Sequence, residues 1–100
     1  MGYRFRWDEN KNTENIKKHG VSFMMAARIF SDPCRIEWHD FFHSTQSEDR
    51  WIGIGLSCCD LLTVIFTEKD DNIRIISARK ADKTEEEEYF DGYSEIHARY

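Results

Sequence analysis

The chain has 100 residues, the length of one domain, and we expect a single unit over residues 1–100. A composition that is 40% hydrophobic, 14% aromatic and 33% charged is sufficient for a packed core beneath a polar surface. The apolar runs are shorter than the about 20 residues of a membrane-spanning helix, and MGYRFRWDENK does not resemble a signal peptide. These features predict a cytoplasmic protein without membrane contact.

The net charge of −5 is distributed unevenly along the chain. Residues 1–81 contain 12 Lys or Arg and 12 Asp or Glu, whereas residues 82–100 contain two bases and seven acids. The body is therefore neutral, and its bases can cluster on one face. The negative net charge does not exclude a nucleic-acid partner.

The N-terminal third predicts a strand and two helices. YRFRW (residues 3–7) alternates aromatic side chains, which we expect to point inward, with Arg4 and Arg6, which we expect to point outward. Asp8 is a typical N-cap for a helix that ends near His19, with Gly20 at its C-terminus. Ser22 begins a second helix, which Pro33 ends. Its buried stripe comprises Phe23, Ala26, Ala27 and Phe30.

The middle of the chain predicts four short strands. They cover residues 35–38, 50–57, 61–68 and 72–80, and a polar loop occupies residues 39–49. Gly53 and Gly55 leave one face of the second of these strands open to close approach. Short turns between successive strands predict an antiparallel sheet.

The C-terminal segment, residues 84–100, predicts a helical extension. Thr84 and Glu87 have the spacing of a capping box. The apolar stripe of this helix comprises Tyr89, Tyr93, Ile96 and Tyr100. The predicted fold class is α+β, with a small antiparallel sheet, two N-terminal helices packed together on one side, and a C-terminal helix.

The three cysteines do not predict a disulfide framework. We interpret Cys34, Cys58 and Cys59 as reduced, semi-buried residues. His39 and His43 have a spacing that would suit zinc, but no CxxC accompanies them. We therefore predict no metal and no cofactor, with zinc at the two histidines as a minor alternative.

The stretch IRIISARKA (residues 73–81) ends an apolar strand in Arg79 and Lys80, with no acid between Asn72 and Ala81. Such a concentration of positive charge suggests a site for an anionic ligand. In a regular strand, Arg74 and Arg79 would point to opposite faces. Both can serve one site only if a bulge intervenes, for example at residues 77–78, or if Arg79 lies past the strand end.

Several segments together resemble a known family. They are RFRWDENKNTENIKKHGVSF, IFSDP, RWIGIGLS, FTE and IRIISARKA, and they resemble the BrnT toxins of bacterial type II toxin–antitoxin systems over residues 4–85. The resemblance implies a RelE-like fold, RNA cleavage that arrests growth, and neutralisation by a BrnA antitoxin, which is a ribbon-helix-helix DNA-binding protein. Met24 and Met25, and the extension beyond about Gly92, depart from the family pattern.

RNA carries its own nucleophile, the 2′-OH, so a ribonuclease of this kind needs groups that stabilise charge on the phosphoryl oxygens and that move protons. Arginine suits the first task, because its planar fork matches phosphate oxygens. The catalytic candidates are Arg79, Arg74, Arg50, Glu68 and His19; the candidates for RNA binding are Lys80, Arg4 and Arg6. Two alternatives remain open: a non-catalytic binding module of the same fold, and a purely anchoring role for Arg79 through Glu85 or Glu86.

Overall fold

The computed structural model describes residues 2–98, with side chains described as far as Gly92. Within these residues, five strands form one sheet of order β1-β5-β4-β3-β2, and three segments form α-helices. The elements are β1 (Arg4–Arg6), α1 (Glu9–His19), α2 (Phe23–Ala27) with a 3₁₀ turn (Arg28–Ser31), β2 (Ile36–His39), β3 (Trp51–Ser57), β4 (Asp60–Lys69), β5 (Asn72–Lys80) and α3 (Lys83–Ala98). The predicted α+β fold with three helices is confirmed. In the described part of the chain, no helix is both long and apolar enough to cross a membrane.

The sheet is mixed, whereas the sequence predicted an antiparallel one. Strands β2 to β5 pair antiparallel, as their short connections require. Strand β1 instead pairs parallel to β5, with Phe5 opposite Ile73. No hairpin joins β1 to β5, so no tight turn dictates their relative direction. The Phe5 ring lies 5.4 Å from that of Phe30, which directs β1 toward the core.

Helix α1 has the ends that its sequence predicted. The Asp8 side chain accepts hydrogen bonds from the backbone N–H groups of Asn10 and Lys11. Gly20 ends the helix at φ 70°, a left-handed conformation that glycine adopts without steric cost. The second predicted helix is shorter than expected: α2 ends at Ala27, before Pro33, and the chain tightens into the 3₁₀ turn.

The two N-terminal helices cover one face of the sheet. Both pack against β5, and the core between them and the sheet contains Val21, Phe23, Ala26, Ile29, Phe30, Leu62, Val64, Phe66, Ile73, Ile75 and Ala78. The predicted close approach at the glycines is confirmed. A Cβ atom at Gly55 would lie 2.9 Å from the Cβ of Ile29, so only glycine lets the 3₁₀ turn sit directly on β3.

Helix α3 packs against β3 on the opposite face. Gly92 approaches Ile36, and Tyr89 is fully buried and donates a 2.6 Å hydrogen bond to Asp32. The capping box lies two residues earlier than predicted, at Asp82 and Glu85, whose side chains each accept the other's backbone N–H.

The predicted burial of Tyr89 is confirmed. The side chains of Tyr93 and Ile96, and the whole of Tyr100, lie outside the described residues.

Strand β5 contains a bulge. Ile65 pairs with Ser77 and Phe66 pairs with Ile75, which leaves Ile76 without a partner on β4. A single extra residue reverses the alternation of side chains beyond it. As a result Ile75 and Ala78 both point into the helix-side core, although they are three positions apart.

A side chain from α1 completes the outer edge of β5 beyond the end of β1. Asn15 is buried, donates to the carbonyl groups of Ala78 (2.7 Å) and Val21 (2.8 Å), and accepts from the Ala78 N–H (3.2 Å). The amide therefore makes the pair of hydrogen bonds that a further strand would make. It ties α1, the turn before α2 and β5 together.

Candidate functional site

Three arginines form a row across one end of the sheet, on the α3 face. Arg6 of β1 is opposite Arg74 of β5, and Arg74 is opposite Thr67 of β4. Arg50 directly precedes β3, and the alternation along this strand directs it to the same face. We call Arg6, Arg74 and Arg50 the arginine row. Adjacent strands are about 4.8 Å apart, so the row offers several cations within reach of one nucleotide strand.

Glu48 bridges two members of this row. One oxygen of its carboxylate, Oε1, contacts Nη2 of Arg74, and the other, Oε2, lies 3.2 Å from Nε of Arg50. All three side chains are 28–34% exposed. Each arginine therefore keeps part of its side chain accessible to solvent while its guanidinium contacts the carboxylate.

The loop that carries Glu48 is closed by its own hydrogen bonds. The Ser44 hydroxyl accepts from the Arg50 N–H (2.9 Å) and donates to the Asp40 carbonyl (2.7 Å). The Asp40 N–H donates to the Arg50 carbonyl, and the Thr45 N–H donates to the Glu48 carbonyl, both at 2.8 Å. Glu48 thus projects from a structured loop toward β5.

A cavity of about 1060 Å³ opens at this end of the sheet. It is lined by Arg6, Trp7, Asp8, Ser47, Glu48, Asp49, Thr67, Glu68, Lys69, Asp70, Asn72 and Arg74. The lining mixes both signs of charge. The positive charges that could attract an anion are Arg6, Arg74 and Lys69, and the cavity is not a uniformly basic groove.

Glu68 borders the cavity from the other face of the sheet, because it pairs with Ile73, whose side chain is in the core. Partial burial, followed by the negative charges of Glu37 and Asp71, raises the pKa of Glu68 above its ordinary value. A raised pKa means that the carboxyl group holds its proton more tightly than an ordinary glutamate, as a general acid must.

Arg79 lies on the same face as the arginine row, but it is engaged by α3. Its two terminal nitrogens donate to the two carboxylate oxygens of Glu85 at 2.6 and 2.9 Å. These hydrogen bonds raise the pKa of Arg79 above its ordinary value. Burial alone would raise the pKa of Glu85, but the hydrogen bonds from Arg79 and from the Asp82 N–H outweigh burial and lower it.

The remaining candidates are dispersed. Arg4 lies beside Asn72, two residues before Arg6 on β1, and is exposed on the same face. Lys80 pairs with Leu62, a core residue, and so points to the opposite face. His19 is exposed at the C-terminus of α1, which packs on that opposite face.

The two histidines of the loop contact separate carboxylates. Nδ1 of His43 lies 2.7 Å from Asp40, and Nε2 of His39 lies 3.1 Å from Asp49. Among the side chains that the structure describes, which end at Gly92, no three His, Cys, Asp or Glu residues gather as a metal site would require. All three cysteines are free; Cys58 and Cys59 are exposed, whereas the sequence predicted semi-buried residues.

Sequence reasoning missed Glu48. The loop around it is polar and aperiodic, so its closure could not be predicted. One local signal was available: Glu48 precedes Arg50 by two positions, and in an extended chain such residues project to the same side.

A sheet that presents two arginines around a carboxylate at an open cavity is suited to bind phosphate groups, because the guanidinium fork matches their oxygens. Comparison with known families agrees with this class. A family profile described as ribonuclease toxin, BrnT, of type II toxin–antitoxin system matches residues 7–85. The chain therefore belongs to this family of ribonuclease toxins. Comparison with curated proteins gives no significant match.

Proposed function

We propose that this protein is an endoribonuclease toxin that cleaves RNA without a metal ion. The observation that supports it most is the Arg50–Glu48–Arg74 bridge at an open cavity, in a chain of a ribonuclease toxin family. Cleavage of RNA inhibits translation and growth. We propose that the protein acts in the cytoplasm, as one unit over residues 1–100.

In the proposed reaction, the 2′-oxygen of a ribose attacks the adjacent phosphorus and loses its proton. The bond from phosphorus to the 5′-oxygen breaks, and that oxygen takes up a proton. The products are a 2′,3′-cyclic phosphate and a 5′-hydroxyl. Arg74 and Arg50 stabilise the negative charge that develops on the phosphoryl oxygens, and such electrostatic stabilisation often contributes more to an enzyme's rate than any other effect.

Arg79 is a further candidate for charge stabilisation, provided that it exchanges Glu85 for phosphate. Glu68 is the better placed of the two acid–base candidates, because it borders the cavity and has a raised pKa. His19 is at the exposed end of α1 and would need a bound RNA to bend around the sheet. Arg6, the member of the row on β1, and Arg4 on the same strand are suited to hold the RNA backbone, whereas Lys80 faces the other side.

The partner that keeps such a toxin silent is an antitoxin. We propose a BrnA-like ribbon-helix-helix protein that covers the arginine row. Covering the row would both block RNA and neutralise positive charge.

A non-catalytic binding module is the second candidate. It is favoured by the ion pairs that already engage Arg50, Arg74 and Arg79, and it would use the same surface for an acidic segment or a nucleic acid.

The experiment that separates the two candidates compares RNA with DNA of the same sequence. Purified protein is incubated with each oligonucleotide in excess EDTA. We expect RNA to be cut into fragments that carry 2′,3′-cyclic phosphate ends, and DNA, which lacks the 2′-OH, to stay intact. Binding of RNA without cleavage would favour the non-catalytic module, and cleavage of both substrates would contradict the proposed reaction.

A further inference from the structure

We infer that Glu48 is a positioning residue, which holds Arg50 and Arg74 in a fixed arrangement for the phosphate group of a bound RNA. The inference rests on the proposed ribonuclease function and deepens it. It concerns a residue of the loop between β2 and β3, whose carboxylate reaches across the sheet to β5.

The contacts of Glu48 support this role in two ways. Its two oxygens go to two different arginines, Arg50 and Arg74, so the carboxylate occupies the position between them. The loop around it is closed by the hydrogen bonds of Ser44 and Asp40, which limits the movement of the backbone that carries it. A carboxylate on an open loop would not give comparable restraint.

Two guanidinium groups on the same face repel each other unless a negative charge lies between them. Without Glu48, Arg50 and Arg74 would separate and sample many rotamers. A group that stabilises a transition state acts best when it does not reorganise during the reaction. Glu48 therefore increases the rate of the chemical step by restricting the two arginines.

The same carboxylate weakens the attraction for RNA in the ground state. Together, Glu48, Arg50 and Arg74 have a net charge of +1, whereas the two arginines alone would have +2. Removal of the negative charge should therefore strengthen RNA binding while it slows cleavage. This opposite effect on binding and rate distinguishes positioning from a merely structural contribution.

The test compares Glu48→Gln with Asp49→Asn. Asp49 is the neighbouring acid, and its carboxylate contacts His39 and is 72% exposed. Both variants lose one negative charge from the same loop. We expect Glu48→Gln to lower kcat by about 10²-fold, the scale of an approximately 1 Å misplacement of catalytic groups. The variant should bind 2′-O-methyl RNA, which cannot be cleaved, at least as tightly as the wild type, with a steeper salt dependence.

Asp49→Asn should leave kcat near the wild-type value, because Asp49 contacts His39 and not an arginine. It should strengthen RNA binding less than Glu48→Gln does, because its 72% exposed carboxylate is more fully screened by solvent and salt. The inference is overturned if Glu48→Gln keeps the wild-type kcat, if kcat rises, or if RNA binding weakens in parallel with a lowered melting temperature.

A readout without RNA separates this inference from the proposed function. In nitrogen-15 spectra, the Nε–H signal of Arg50 should shift in Glu48→Gln and stay in place in Asp49→Asn. If the wild-type protein cuts no RNA, the proposed function fails. If the Arg50 signal does not shift in Glu48→Gln, the positioning role is contradicted, whether or not the wild type cuts RNA.

Discussion

Arg74 and Arg79 lie on the same face of β5, although they are five positions apart. The unpaired Ile76 between them accounts for this, because one extra residue reverses the alternation of side chains. Their partners on β4, Thr67 and Thr63, are four residues apart, or about 13 Å along the strand. This face of β5 therefore carries two arginines. Arg74 borders the open cavity, and Arg79 is paired with Glu85 of α3.

Arg79→Ala should abolish RNA cleavage if Arg79 contributes directly to the reaction. The expected loss is about 10²-fold or more in rate, the scale seen when one fixed donor to a developing negative charge is removed. Arg79→Lys should restore little activity, because an ammonium group lacks the two-pronged geometry of the guanidinium. Cleavage of a labelled RNA and the melting temperature are measured on the same samples.

The matched control for Arg79 is Glu85→Gln, which breaks the same ion pair and keeps the arginine. An anchoring role predicts that both variants lower the melting temperature and that Arg79→Ala still cuts RNA. That outcome would assign the charge stabilisation to Arg50 and Arg74 alone.

The pairing of Glu85 with Arg79 predicts a pH dependence of stability. The pKa of Glu85 is lowered in the folded protein, so the unfolded chain takes up its proton first as the pH falls. The stabilisation is fully present above the ordinary carboxyl pKa of about 4.3 and is lost as the pH falls through the lowered value. The difference in melting temperature between wild type and Glu85→Gln should therefore shrink as the pH falls from well above to well below that ordinary value.

Glu86→Gln is the control for this titration, because Glu86 is the next residue and is exposed. Its melting temperature should follow that of the wild type throughout. A constant difference for Glu85→Gln across the same range would contradict the assigned ion pair.

Asn15→Ala should destabilise the protein more than the replacement of an exposed polar side chain would. The change leaves the N–H and carbonyl groups of Ala78 without the partner that Asn15 provides, which costs about 1–3 kcal/mol. For a domain of this size, each kcal/mol lowers the melting temperature by about 4–8 °C. Asn10→Ala, at an exposed position of the same helix, should change it little; similar effects of the two changes would argue against the edge role of Asn15.

The local features of the fold could be predicted from the sequence because they depend on neighbouring residues. Asp8 and Gly20 define the ends of α1 through backbone contacts within one turn. The turn of β4 into β5 is equally local: Asp70 and Asp71 both have positive φ, as a tight hairpin requires. The glycines of β3 correctly predicted a close approach.

The features that were missed depend on contacts between distant parts of the chain. The parallel pairing joins β1 to β5 from the other end of the chain, where Phe5 also packs on Phe30. The bulge lies at Ile76 rather than at residues 77–78. The engagement of Glu48 with Arg74 joins residues 26 positions apart. No periodicity or spacing indicates such a contact.

A BrnA-like antitoxin should copurify with the protein and inhibit RNA cleavage. If it covers the arginine row, excess 2′-O-methyl RNA should slow its association. The complex should resist salt, since ion pairs that a partner covers are screened much less than exposed ones. Arg79→Ala should still bind the antitoxin. A protein that is harmless when expressed without any antitoxin would count against the toxin function.

The most direct measurement is RNA cleavage by Arg74→Ala and Arg50→Ala in EDTA, alongside the wild type. The control is Arg28→Ala, which removes an exposed arginine from the 3₁₀ turn on the other side of the sheet. We predict that the wild type and Arg28→Ala cut RNA at equal rates, and that Arg74→Ala and Arg50→Ala, folded and with near-normal melting temperatures, lose about 10²-fold or more. Full cleavage by both folded variants would contradict the assignment of catalysis to the arginine row.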